Sequence, residues 1–269
     1  MQIIEFPGMH ISLRLSKQAF KIFGIPIYWY AILIVFAILI AIIFTKIDDG
    51  KYGIKFDNIV EVLICTIPVS ILCARIYYVV FNSQNEFNNI SQLINIRNGG
   101  LAIYGGIIGA VTTIAIYCKI KKIKLADMLD YLVPYLALGQ AIGRWGNFIN
   151  VEAYGTETDS LLRMKIFQNG EFLEVHPTFL YESFFTFLIF IILMKIRKNR
   201  KYSGQLVNIY FISYGLIRFI IEGIRSDSLM FFSFRVSQIF SILLIVIGGI
   251  NSIYSYYKTK INNKHYNLT

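Results

Sequence analysis

The chain has 269 residues, of which 56% are hydrophobic and only 16% charged, and its mean hydropathy is +0.57. Soluble domains carry about 25% charged residues, so this composition excludes an ordinary soluble protein and gives no sign of a second, soluble domain. A net charge of +10 would raise nucleic acid as a partner in a soluble protein, but the placement of the charge, described below, accounts for it without nucleic acid.

In chain order, residues 1–22 alternate apolar with polar or basic groups and contain no clean hydrophobic run of a signal peptide. They read as an N-terminal arm lying at a membrane interface. Apolar blocks follow at 24–45, 59–81, 99–118, 126–143, 178–195, 205–222 and 236–256. Each is roughly 20 residues long, the length at which a helix crosses a bilayer. The fourth and sixth are the least purely apolar. The pattern predicts an all-α polytopic membrane protein with about seven transmembrane helices, forming one integral-membrane domain over 1–269. Basic residues gather after the first, third, fifth and seventh blocks, above all in KIKKIK (119–124) and KIRKNRK (195–201). Short cytoplasmic loops carry an excess of Lys and Arg. The N-terminus is then extracytoplasmic and the C-terminus cytoplasmic. The connection 144–177 and the polar stretches 82–98 and 223–235 fall outside, making a small extracytoplasmic segment. The spans do not pair into two similar halves of the kind found in many transporters.

The stretch GRWGNFINVEAYG, Gly143 to Gly155, brings Arg144, Asn147, Asn150 and Glu152 directly after an apolar run. Polar groups at membrane depth are costly unless they meet a partner or line a wet cavity, so four together argue for a polar site on the outer face. A guanidinium fork, amide N–H groups and glycines that admit close backbone approach are also the groups that hold phosphate. Tyr214, Arg218 and Glu222 recur at i, i+4 and i+8 in the sixth span, on one helical face. An Arg–Glu pair can simply neutralise itself between helices, but Arg144 and Arg218 from separate elements can also grip one anion. Gly105 and Gly109 have the GxxxG spacing of a close helix contact, and Gly99 and Gly100 shape the entry to that helix. Tyr104 reads first as an interfacial aromatic, as do Trp29 and Tyr30. Pro177 suits the first turn of a helix, and His176 before it is a general-base candidate. Glu182 lies inside a span and needs a partner. Arg75 is explained by snorkelling to the interface, with lipid headgroups as the alternative. Cys65, Cys73 and Cys118 all lie in apolar runs, and His10, His176 and His265 are far apart. Neither set has metal-like spacing, and no metal or organic cofactor is expected. A transporter with a polar midplane site, or a lipid-binding membrane protein without chemistry, are the alternatives to an enzyme.

GRWGNFINVEAYG resembles the signature of the prolipoprotein diacylglyceryl transferase family. NGGLAIYGG, HPTFLYE, YGLIRFIIEGIRSD and the Trp29–Tyr30 pair resemble that family's other blocks in the family's order, from Trp29 to Asp227. The resemblance implies a transferase of the bacterial plasma membrane. It would move the diacylglyceryl group of phosphatidylglycerol onto the lipobox cysteine thiol of a prolipoprotein signal peptide, release glycerol phosphate and need no cofactor. The candidate catalytic residues are Arg144, Arg218, Glu152, Glu222, Tyr104 and His176. Arg144, Asn147, Asn150, Gly155, Tyr30, Tyr214 and Arg75 are candidates for holding phosphatidylglycerol. In this reading the two arginines stabilise the phosphate, the asparagines hold the headgroup, and Glu152 and Glu222 orient the arginines or accept a proton. Tyr104 is a departure, because the family commonly has a histidine at the matching position. A phenol with an ordinary pKa near 10 is a poor base at neutral pH.

Overall fold

The computed structural model describes residues 2–81, 99–168 and 170–266. The stretch 82–98, read from sequence as an outer loop, lies outside the described residues. Among those described are seven α-helices: α1 (Trp29–Ile47), α2 (Phe56–Phe81), α3 (Ile103–Lys121), α4 (Leu125–Asn150), α5 (Thr178–Ile196), α6 (Gln205–Gly223) and α7 (Val236–Tyr266). Six of them, all but α4, are long and apolar enough to cross a membrane, and the protein is a multi-pass membrane protein. Helix α4 matches them in length but is broken in polarity by Asp127, Asp130, Gln140 and Arg144.

The chain forms two compact units, one of Met1–Ala41 with Leu132–Thr269 and the other of Ile42–Tyr131. In the second unit, α2 packs on α3. A side chain at Gly109 would stand 2.9 Å from Cys73 Cβ, and one at Gly105 would stand 2.9 Å from Ala74 Cα. The GxxxG pair is therefore a close helix contact, as its spacing predicts. Gly99 and Gly100 have φ of +86° and +78°, a backbone shape that glycine adopts without strain. Their carbonyls accept hydrogen bonds of 3.0 and 2.9 Å from Arg75 Nη1. Arg75 is buried on these carbonyls rather than extended to a surface.

The first unit contains strands that the apolar periodicity did not announce. β1 (Gln2–Phe6), β2 (Ile11–Leu15), β5 (Met164–Gln168) and β6 (Glu171–Val175) form an antiparallel sheet in the order β2-β1-β5-β6. Two hairpins stand apart from it: β3 (Gln18–Ile22) with β4 (Ile25–Tyr28), and β7 (Met230–Phe231) with β8 (Phe234–Arg235). Successive strand residues face opposite sides, so Ile4 and Phe6 point inward with Met164 and Ile166. These side chains form one buried cluster with Phe148 of α4, Val175 and Phe179 of α5. The sheet thus sits on the end of α4 and the start of α5, and it fixes both.

Candidate active site

Helix α4 runs on through Asn150, so the first part of the polar signature is helical, and the connection begins at Val151 rather than at 144. The helix ends in a left-handed turn. Val151 has φ +53°, its N–H reaches Phe148 O at 3.0 Å, and Glu152 N–H reaches Asn147 O at 2.9 Å. This is the double hydrogen bond of a Schellman end, with a valine where glycine is usual. A β-branched residue at positive φ is a backbone outlier. The sheet core compensates, since Val151 packs against it. The chain is then pinned in three places. Gly155 N–H donates to His176 O at 2.8 Å, Thr156 N–H to Ile224 O at 2.8 Å, and Ser226 Oγ to Tyr154 O at 3.0 Å. A Cβ at Gly155 would lie 2.7 Å from His176 Cβ and 2.8 Å from Ile224 O, so only glycine fits. The signature, the start of α5 and the loop after α6 are one knot.

Glu182 of α5 is the centre of the polar cluster. Its side chain is 2% exposed. Oε1 accepts from Arg144 Nη2 at 2.5 Å and from Tyr214 Oη at 3.2 Å, and Oε2 accepts from Arg218 Nη1 at 3.1 Å. Arginines from α4 and α6 therefore converge on one buried carboxylate of α5. Arg144 also donates to Asn147 Oδ1 at 3.1 Å, and Arg218 to Ser237 Oγ at 3.3 Å. Glu222, 1% exposed, lies 2.6 Å from Arg218 Nη2. That approach is off the N–H direction, so it is a pairing of charges without an aligned hydrogen bond. The Glu222 carbonyl at the end of α6 accepts from Arg235, a cation placed where the helix carbonyls are unsatisfied. Tyr214 stacks on Tyr210 at 5.4 Å and 3°, and Tyr210 Oη donates to Gln140 at 2.8 Å. The tyrosine that touches Glu182 is thus itself braced.

Two arginines and two glutamates cancel formally. A guanidinium carries five N–H donors, and Arg144 commits two hydrogen bonds here, to Glu182 and Asn147. The arginine side chains retain 21% and 15% exposure. The arrangement is two forked donors, pre-aimed by a buried acid, with capacity left for an incoming anion. Such preorganisation is what stabilises charge developing on a phosphate oxygen.

Residues 17–254 match the family described as prolipoprotein diacylglyceryl transferase. The chain belongs to the prolipoprotein diacylglyceryl transferase family. The phosphatidylglycerol–prolipoprotein diacylglyceryl transferase of Finegoldia magna is 47% identical over 237 residues, covering 88% of this chain and 94% of that protein. That of Clostridioides difficile is 45% identical over 248 residues, covering 92% and 98%. That of Listeria innocua is 42% identical over 260 residues, covering 94% and 93%.

Within this prolipoprotein diacylglyceryl transferase fold, the other expected site residues divide. Tyr30 lies against Gly146, where a Cβ would stand 3.0 Å from its Cγ. Asn147 is hydrogen-bonded to Arg144, and Tyr30 interacts with Arg144 electrostatically. Asn150 is half-buried at the end of α4. Glu152, expected to orient an arginine, is exposed and pairs with neither arginine among the described residues; Glu182 does that work instead. His176 Nδ1 lies 3.4 Å from Tyr181 Oη, and its backbone holds Gly155 and Thr156. Its ring takes no part in the arginine cluster. Tyr104 and Arg75 belong to the other unit, where Tyr104 packs against Tyr77 at 6.3 Å. Glu182 is the member of this cluster whose place the sequence does not announce. Its signal was present, an acid inside an apolar span, but its partners were not. In the loop after α6, Arg225 grips Asp227 bidentately at 2.9 and 2.8 Å. Partial burial would raise the Asp227 carboxyl, but the hydrogen bonds and charge of Arg225 outweigh it and hold the group below its ordinary value.

Proposed function

We propose that this protein transfers the diacylglyceryl group of phosphatidylglycerol to the lipobox cysteine of a prolipoprotein, at the outer face of the bacterial plasma membrane. The N-terminus and the sheet would lie on that side and the C-terminus in the cytoplasm, as the basic loops indicate. The thiol sulfur attacks the glycerol carbon that bears the phosphate. The carbon–oxygen bond breaks, a thioether forms, and glycerol phosphate leaves with the electron pair on its oxygen. The thiol proton passes to a base. The enzyme need supply no nucleophile. It must orient two membrane-bound substrates, favour the thiolate and stabilise the leaving phosphate; orientation alone contributes several kcal/mol, on the order of 7–11 at its upper range.

The observation that carries this reading is the convergence of Arg144 and Arg218 on Glu182. We assign the two arginines to the phosphate. Glu182 and Glu222 hold them in position. Asn147, Asn150, Gly155, Tyr30 and Tyr214 shape the headgroup site. Glu152, exposed at the end of α4, is left as the proton acceptor, with His176 in reserve. Tyr104 and Arg75 are assigned to binding the lipid. A guanidinium N–H directed at the sulfur would also favour ionisation of a substrate thiol, whose ordinary pKa is about 8.5.

The test is direct. Purified protein in phosphatidylglycerol vesicles is given a peptide with a lipobox cysteine. The peptide should gain the mass of a diacylglyceryl group, lose its free thiol and release glycerol phosphate in equal amount. A peptide with serine for that cysteine should gain nothing. Absence of the adduct with the cysteine peptide would remove the assignment.

A further inference from the structure

Two short β-ribbons in the first unit leave their apolar side chains open. In β3–β4 the register pairs Phe20 with Ile27 and Ile22 with Ile25, while Lys21 pairs with Pro26. Directly opposed residues share a face, so Phe20, Ile22, Ile25 and Ile27 form one apolar side and Lys21 stands on the other. Phe20, Ile22 and Ile25 are all about half exposed, and Phe23 at the tip is 100% exposed. Phe23 and Gly24 have φ of +48° and +81°, the left-handed pair of a two-residue hairpin turn. Asn-Gly is the favoured sequence there, and a phenylalanine bears a steric cost. The β7–β8 ribbon repeats the design. Its tip residue Phe232 has φ +51° and is 87% exposed, beside exposed Phe231 and Phe234.

An isolated two-stranded ribbon is marginal in water, and an apolar tip in a strained turn makes it worse. The cover is indicated by what each ribbon is attached to. β4 ends at Tyr28 and α1 begins at Trp29; β8 ends at Arg235 and α7 begins at Val236. Both helices are long and apolar enough to span a membrane. Each junction is tied, with Trp29 N–H on Lys17 O at 3.1 Å and Val236 N–H on Leu229 O at 2.9 Å. No residue intervenes to carry a ribbon away from the membrane boundary. Lys17 and Lys21 are exposed and suit an anionic headgroup layer.

We infer that both ribbons are lipid-docking devices, which lay Phe23 and Phe232 into the headgroup–acyl boundary of the leaflet at the heads of α1 and α7. This rests on the helices crossing the membrane and not on the transferase reading, so it survives or fails separately from that reading.

The experiment uses full-length Phe23→Trp and Phe232→Trp proteins in phosphatidylglycerol nanodiscs, with the emission of the parent (Trp29 and Trp145) subtracted. Both positions are open, so tryptophan adds no packing conflict. The added emission should be blue-shifted relative to tryptophan in water, resist acrylamide, and be largely lost when the lipids are brominated near the headgroup end of the acyl chain. Emission at the water position, quenched by acrylamide and not by bromine, overturns the proposal for that ribbon. Shielding from both quenchers indicates a protein partner or a second copy and overturns it equally.

Discussion

Among single residues, Glu182 joins Arg144 and Arg218. Removing its charge leaves two guanidiniums facing each other with less compensation. Breaking a buried ion pair by losing one partner costs about 3–5 kcal/mol. Glu182→Gln should therefore lower both thermal stability and transfer rate, whereas Glu152→Gln, at an exposed carboxylate, should leave stability unchanged. Thermal melts in detergent, read beside turnover, check this; equal melting of Glu182→Gln and the parent would deny the carboxylate its organising role. Tyr104 is a second test. If its hydroxyl only donates to bound lipid, Tyr104→Phe loses about 1–3 kcal/mol, a rate loss of roughly ten- to a hundred-fold. Turnover at background, with a rate limb near the ordinary tyrosine pKa of about 10, would instead make the phenol an obligatory base. Arg144, Arg218, Asn147 and Glu222, which the structure brings together, are legible in the sequence because charged and amide groups in apolar surroundings stand out. The role of Glu182 is not, because one acid in a span says that a partner exists without saying which.

At the scale of elements, helices came through from the length and composition of apolar blocks, since a bilayer-spanning helix carries a strong compositional signal. The sheet did not. β1 and β5 are short, and Ile4 pairs with Ile166 across more than half of the chain; nothing local in QIIEF or MKIFQ names the partner. Sequence polarity also ends α4 too early, because Arg144 and Asn147 look like loop residues although they lie on the helix, which runs to Asn150. That helix presses Gly146 on Tyr30. Gly146→Ala should force the ring aside at an overpacking cost of about 1–3 kcal/mol. We expect it to disturb Arg144, two residues earlier on the same helix, and to reduce transfer while membrane insertion is retained. Concurrent Tyr30→Ala should restore the melting temperature by relieving the conflict. If Gly146→Ala melts and turns over like the parent, the Tyr30 contact has no bearing on the site.

At the scale of the whole molecule, the chain joins a multi-pass helical body to a small sheet that braces the polar signature. The basic loops place the termini on opposite sides of the membrane in our proposal. Cysteine reporters at 14 and 258 should therefore react with an impermeant maleimide from opposite faces of intact cells and inverted vesicles; labelling of both from one face would reverse or break that topology. We propose that Arg144 acts on the substrate phosphate as a geometric fork and not only as a positive charge. Lysine keeps the charge and loses the planar bidentate donor. The decisive measurement is the rate of diacylglyceryl transfer to a lipobox peptide by Arg144→Lys, at matched amounts of membrane-inserted protein. A loss of roughly 10²- to 10³-fold is expected, the cost of removing a preorganised donor to a developing oxyanion. Turnover equal to that of the parent would contradict it.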